Sequence, residues 1–221
     1  MSAIADRFRS VQNELRQIAP DRQISVVGVA KHQSIETMRE AVNAGVHILA
    51  HNYVQEGMSA MEALVAEPVE WHFIGHIQSR KVRELPHYHC VQSLDRLEVA
   101  QSLSERMIAL TKRMRVLIEV NVGGEPQKSG IGVTTLPSFI DSLSKMPGLV
   151  LEGFMAMPPG IEPVEERRPF FRQMKELFDT YQSSHHLSVL SMGTSQDYAI
   201  AVAEGSTMIR LGTSLLGERK S

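Results

Sequence analysis

Lys31 closes a run of apolar and β-branched residues, Ile24-Ser-Val-Val-Gly-Val-Ala30. An amine at the end of a buried strand is partly stripped of water, which lowers its pKa and frees it to attack a carbonyl group, as a Schiff-base lysine must. The chain has seven lysines, and the other six (Lys81, Lys112, Lys128, Lys145, Lys175, Lys220) fall in polar helix or loop contexts. A lysine at such a place can also simply snorkel to solvent, so position alone leaves both readings open. Two later segments suit an anion. Ser191-Met-Gly-Thr-Ser195 follows an apolar run and leads into a helix beginning near Asp197. A Gly-containing turn with hydroxyls ahead of a helix offers amide N–H groups and a favourable dipole, or merely an N-cap from Thr194 or Ser195. Arg210-Leu-Gly-Thr213 ends the last apolar run, and Arg210 alternates inward from it. An inward arginine without a partner would be costly. Together the two Gly- and hydroxyl-rich loops form a phosphate cup.

The elements that must position these groups alternate along the chain. Ile4, Phe8, Val11, Leu15 and Ile18 recur at helical spacing ahead of Pro20, giving an opening helix within residues 1–19. Eight strand-like runs follow: 24–30, 46–50, 70–74, 88–92, 115–120, 149–154, 187–190 and 207–211. Ser34 is placed to cap a helix through Ala44, and Gly45 to stop it. The longest helical patterns span Arg96 to Lys112 and Pro163 to Gln182, with 162–168 read as a solvated helix start. The stretch between Ile74 and Tyr88 is short for a helix. Such β-α alternation implies parallel strands with right-handed crossovers, and eight units in roughly 200–250 residues fit one (β/α)8 TIM barrel. An open doubly wound sheet usually carries a Gly-rich turn after its first strand, and Lys31-His-Gln-Ser34 is not one. The expected architecture is α/β, a single barrel over 1–221.

In such a barrel the site lies at the C-terminal ends of the strands, with phosphate after strands seven and eight. The residues there are Lys31, Asn52, the segment from His72 to His76, Asn121, Met155, Ser191 to Ser195, and Arg210 to Thr213. Composition narrows the classes. The 221 residues carry 23 Lys+Arg against 25 Asp+Glu, a formal charge of −2 that disfavours a general nucleic-acid binder. One cysteine, Cys90, excludes an intramolecular disulfide and a Cys-based zinc cluster, and reads as a buried small hydrophobe. No apolar leader or membrane-length run is present, so the expectation is a soluble cytoplasmic protein. Barrel, strand-one lysine and phosphate cup together suggest pyridoxal 5′-phosphate (PLP), an aldehyde for the lysine and a phosphate for the cup. Arg210 would then meet the pyridine nitrogen and keep it unprotonated, which makes the ring a poor electron sink.

The stretches Val29-Ala-Lys31, Asn52-Tyr-Val-Gln-Glu56, Trp71-His-Phe-Ile-Gly-His-Ile-Gln-Ser79, Val120-Asn-Val-Gly-Gly-Glu-Pro-Gln-Lys-Ser-Gly130, Leu190-Ser-Met-Gly-Thr-Ser195 and Arg210-Leu-Gly-Thr213 carry a resemblance over nearly the whole chain. The sequence resembles the pyridoxal phosphate homeostasis protein family, relatives of the alanine racemase N-terminal barrel. The resemblance implies PLP held as a Schiff base on Lys31, with Ser191, Ser195, Gly212 and Thr213 around the phosphate. It places Arg210 at the ring nitrogen and Asn52 and Met155 near the ring. It implies buffering or delivery of the cofactor, with apo PLP-dependent enzymes as partners, and no robust catalysis. Where the family usually has Gly-Glu before the asparagine, this chain has Ala50-His51, and His32-Gln-Ser34 replaces a second lysine and a proline.

Two other functions compete. An amino-acid racemase needs a second base opposite the lysine; the chain ends after the eighth unit, so Tyr53 or a histidine would have to supply it, and the same shortness favours a monomer. A metal-dependent hydrolase is prompted by nine histidines, but the strand ends supply almost no carboxylates to converge on a metal, and no metal is expected.

Overall fold

A computed structural model describes residues 2–218. The eight apolar runs form β1 (Ser25–Val29), β2 (Ile48–His51), β3 (Glu70–Phe73), β4 (Cys90–Leu94), β5 (Met114–Asn121), β7 (Leu149–Ala156), β8 (Val189–Ser191) and β9 (Met208–Leu211), with a two-residue β6 (Ile131–Gly132) paired to the last two residues of β5. Every pairing is parallel, and β9 returns to pair with β1 through Val26 and Ile209, closing the sheet into a barrel. Side chains alternate between the lumen and the outer layer. Val27, Ala50 and Met208 cluster in the lumen with Ile48 and Ile74, and Cys90, Leu117 and Met155 form a second lumen cluster. The apolar residues of the opposite alternation, among them Leu49, Phe73, Val116, Phe154 and Ile209, face outward into the main core, under the helices.

The helices are α1 (Ala3–Ile18), α2 (Ile35–Asn43), α3 (Val54–Ala63), α4 (Leu97–Ala109), α5 (Leu136–Leu143), α6 (Arg168–His185), α7 (Tyr198–Ala203) and α8 (Thr213–Leu216). Ser34 caps α2 as its spacing predicts, its hydroxyl accepting from the Thr37 amide at 3.2 Å. α1 buries Ile4, Phe8, Val11 and Leu15. It also ties to the end of the chain, where Arg7 Nε donates to the Leu215 carbonyl at 2.7 Å.

Two expectations change. The short segment between β3 and β4 is a 3₁₀ helix, Ser79–His87, with Val82 and Leu85 three apart on its buried face and Pro86 inside it. Three residues per turn suits that spacing, and proline supplies no amide to continue an α-helix. The charged stretch at 162–168 does lead into a helix with its glutamates exposed, but not all of it is solvated. It holds a 3₁₀ turn, Val164–Arg167, whose Arg167 is buried, and only then does α6 begin. Met1 and residues 219–221, at the edges of the expected barrel, lie outside the described residues. Among the described residues no helix is long and apolar enough to cross a membrane.

Candidate functional site

Lys31 lies two residues beyond β1, and the alternation through Val27 and Val29 brings its side chain to the lumen side at the barrel mouth. The residue is half-buried, and among the described residues no hydrogen bond or ion pair engages its amine. The turn that presents it is fixed from both sides. The Ala30 amide donates to the Ala50 carbonyl at 2.8 Å, and His32, left-handed at φ +58°, donates its amide to the Glu56 carboxylate of α3. Asn52 ends β2 on the same rim, and its buried Oδ1 has no hydrogen-bond partner. Gly75 is required there, because a Cβ would sit 2.0 Å from the Asn52 carbonyl oxygen. A cavity of about 240 Å³ opens beside Asn52, bounded by Tyr53, Phe73, His76 and Lys81.

The two Gly- and hydroxyl-rich loops meet. Ser195 Oγ accepts from the Gly212 amide at 3.3 Å and from Ser214 Oγ at 2.8 Å. Thr213 is exposed on the same turn, where the Leu215 and Leu216 amides of α8 donate to the Gly212 carbonyl at 3.0 and 2.8 Å. Neither Thr194 nor Ser195 is the N-cap of α7; Asp197 is. Its carboxylate instead reaches back to shape the loop. Oδ1 accepts from the Thr194 amide at 2.7 Å and from its hydroxyl at 3.0 Å, and Oδ2 takes the Arg167 guanidinium at 2.9 Å. Gly193 turns that loop at φ +94°, a conformation open to glycine.

Beneath the rim, a line of polar side chains runs down the lumen. Arg210, buried, donates from Nη1 to the Ser191 carbonyl at 2.8 Å and hydroxyl at 2.7 Å, and from Nη2 to the Ala156 carbonyl at 3.0 Å. Ser191 Oγ donates to Gln92 Oε1 at 2.7 Å, and Gln92 Nε2 faces His72 Nδ1 at 2.7 Å. His72 Nε2 meets Glu70 Oε1 at 2.9 Å, Glu70 accepts from Arg115, and Arg115 Nε donates to Glu152 at 2.7 Å. Burial lowers the His72 pKa, so the ring is neutral. One proton then serves both contacts: Nε2–H donates to Glu70, and Nδ1 accepts from Gln92. The His72 hydrogen bond, above all, holds Glu70 down to about 2. Burial lowers Arg210 to about 10, which still leaves it charged at neutral pH.

The expected residues therefore fall on three levels. Lys31 and Asn52 stand on the rim, and Ser195, Gly212 and Thr213 form the loop pair. Ser191, Arg210 and Met155 lie below, in the lumen. Ser191 Oγ lies a level below Ser195, where it donates to Gln92 and accepts from Arg210. Met157 is exposed and fills no core, unlike Met155. Asn121 holds the loop after β5, donating from Nδ2 to the Glu125 carbonyl at 2.8 Å. His51 belongs to the outer layer, stacked on Trp71 at 5.6 Å between ring centres, with both ring nitrogens unpartnered. Among the described residues no group of three His, Cys, Asp or Glu is placed to hold a metal. Sequence reasoning missed Gln92, Glu70 and Arg115. Their signal is the period of two, polar residues at i and i+2 inside runs that otherwise read as apolar.

The closed ring of eight parallel strands with a lysine at the end of the first defines a class. Residues 1–220 match the alanine racemase N-terminal domain. Among curated proteins, a pyridoxal phosphate homeostasis protein of Aquifex aeolicus is 38% identical over 198 residues, covering 88% of this chain and 87% of its own. Another, from Pseudomonas aeruginosa, is 37% identical over 226 residues, covering 99% and 97%. The chain belongs to the pyridoxal phosphate homeostasis protein family. PipY of Synechococcus elongatus, solved with PLP bound, superimposes with a TM-score of 0.87 at 28% identity, covering 97% of this chain and all of that one.

Proposed function

We propose that the protein binds PLP at the barrel mouth and acts in intracellular vitamin B6 homeostasis by holding and releasing it. The residues fit the group. The observation that carries the reading is the Lys31 amine, half-buried on the rim and engaged by no other side chain among the described residues, beside loops that meet through Ser195, Gly212 and Ser214. The family membership and the PLP-bound PipY support it.

Lys31 would form the covalent link to the aldehyde carbon, and Ser195, Gly212 and Thr213 would surround the phosphate. Asn52 offers an orphaned carboxamide oxygen toward the ring, and Met155 an apolar floor. When bound, PLP supplies an aldehyde that can pass between amines. Arg210 keeps its charge and donates hydrogen bonds only. A ring nitrogen beside it is kept unprotonated, which disfavours carbanion chemistry and suits a carrier. Ser191 and Gln92 hold that guanidinium in place. Delivery to apo PLP-dependent enzymes, and action as a cytoplasmic monomer without robust catalysis, belong to the same proposal.

The cup is tested by comparing PLP with pyridoxal, which has the aldehyde but no phosphate. Hydrogen bonds to a charged group are worth about 1.5–3 kcal/mol each, so PLP should bind at least about 100-fold tighter in equilibrium dialysis. Equal affinities contradict the assignment.

A further inference from the structure

Glu119 has no place in the machinery described so far, yet it stands in the same lumen. It lies on β5, four strands from β1 in either direction around the closed ring, so its wall is the one opposite Lys31. The alternation Arg115, Leu117, Glu119 turns it inward, since Leu117 packs in the lumen and Arg115 meets Glu70 and Glu152 there. In register it is level with Met155 on β7, which pairs in turn with Ser191 on β8. The charged groups acting on it are Asp95, just after β4, and Arg210 on β9. Asp95 has other partners, accepting from the Gly130 amide and from Arg96. Among the described residues no hydrogen bond or ion pair engages the Glu119 carboxyl group, which acts on buried Arg210 only through its charge and leaves its oxygens uncommitted.

We propose that Glu119 is a ligand-facing residue of the mouth, whose carboxylate takes up one proton as a phosphorylated, anionic ligand enters. This rests on the reading of the site given above. Burial, and then the Asp95 carboxylate, push the Glu119 pKa up to about 7, against the pull of Arg210. An incoming anion raises it further, because a second negative charge disfavours the carboxylate. The pKa in the complex then lies above that of the free protein. Affinity is therefore full below about 7, where the carboxyl group is already protonated, and falls as pH rises from the free toward the bound value. One unit of difference corresponds to about a tenfold change in affinity.

The test measures the dissociation constants of PLP and of pyridoxamine 5′-phosphate for the wild type and Glu119→Gln, between about pH 6 and 8.5. Pyridoxamine 5′-phosphate has no aldehyde, so it isolates charge from the covalent link. The ligands' own titrations are common to both proteins and cancel in the ratio. Wild-type binding should match the variant at the acid end and become about tenfold weaker at the alkaline end, for both ligands. A ratio that stays flat while both ligands bind overturns the role of Glu119 and leaves the site intact. Failure of both ligands to bind the wild type overturns the site and this role with it. Should Glu119→Gln not fold, Asp95→Asn provides the second arm. Losing the like charge should move the wild-type fall in affinity to lower pH, and an unmoved curve overturns the proposal.

Discussion

Arg210 on β9 and Ser191 on β8 are joined twice by one guanidinium nitrogen, which donates to the serine carbonyl at 2.8 Å and to its hydroxyl at 2.7 Å. The serine hydroxyl spends its one proton on Gln92 Oε1, and the Gln92 Nε2 then donates to His72 Nδ1, whose own proton sits on Nε2 facing Glu70. The Arg210 charge, below the rim, is thus positioned by a hydrogen-bonded line that begins at the opposite end of the lumen.

That line should fail cooperatively. Gln92→Leu leaves the Ser191 O–H without an acceptor and His72 Nδ1 without a donor, both buried, which should cost about 2 kcal/mol in urea unfolding. In a double-mutant cycle with Ser191→Ala, the second substitution should cost about 1 kcal/mol less than it does alone, since its partner is already gone. Strict additivity contradicts a coupled line.

Arg167 and Asp197 form an ion pair whose side chains are 6% and 4% exposed. Replacing Arg167 with Met strands a buried carboxylate and should destabilise by about 3 kcal/mol. It should also weaken PLP binding, because Asp197 holds the Thr194 amide and hydroxyl in the loop ahead of α7. Arg167→Lys should recover part of both losses. A change under about 0.5 kcal/mol, the size of an ordinary surface substitution, contradicts this role.

His51 makes folding acid-sensitive. Burial lowers its pKa from 6.5 to about 4, so over that window the unfolded chain binds more protons than the folded one. The stability linked to neutral His51 is fully present above 6.5 and is lost as pH falls through about 4, amounting to about 3 kcal/mol. His51→Leu removes two orphaned ring nitrogens and should be neutral or stabilising at pH 7. Urea unfolding at about pH 7 and pH 4.5 checks the sign. Equal acid losses in both proteins contradict it.

Much of this fold is legible in the sequence because the outward side of every strand is apolar and part of the lumen is too, so each strand reads as a compact apolar run between helical patterns. Ser34 and Gly45 mark α2 by local chemistry alone. The site residues beyond Lys31 and the two loops are legible only in part. Gln92 and Ser191 are 99 residues apart, and a local reading has no means of pairing them. Arg167 sits in a run of alternating charges that looks solvated, while its partner Asp197 lies 30 residues on. Ser191 reads as one more loop hydroxyl until register places it a level below Ser195. His51 follows an inward residue, and only the pleat sends it to the outer layer.

The most direct measurement of the central claim is borohydride reduction of the protein loaded with PLP, followed by peptide mapping. A single labelled peptide carrying the modification on Lys31 is predicted, and Lys31→Ala should abolish it while the protein keeps weaker, noncovalent binding through the loop pair. A label on another lysine, or an undiminished label in the Lys31→Ala protein, contradicts the account.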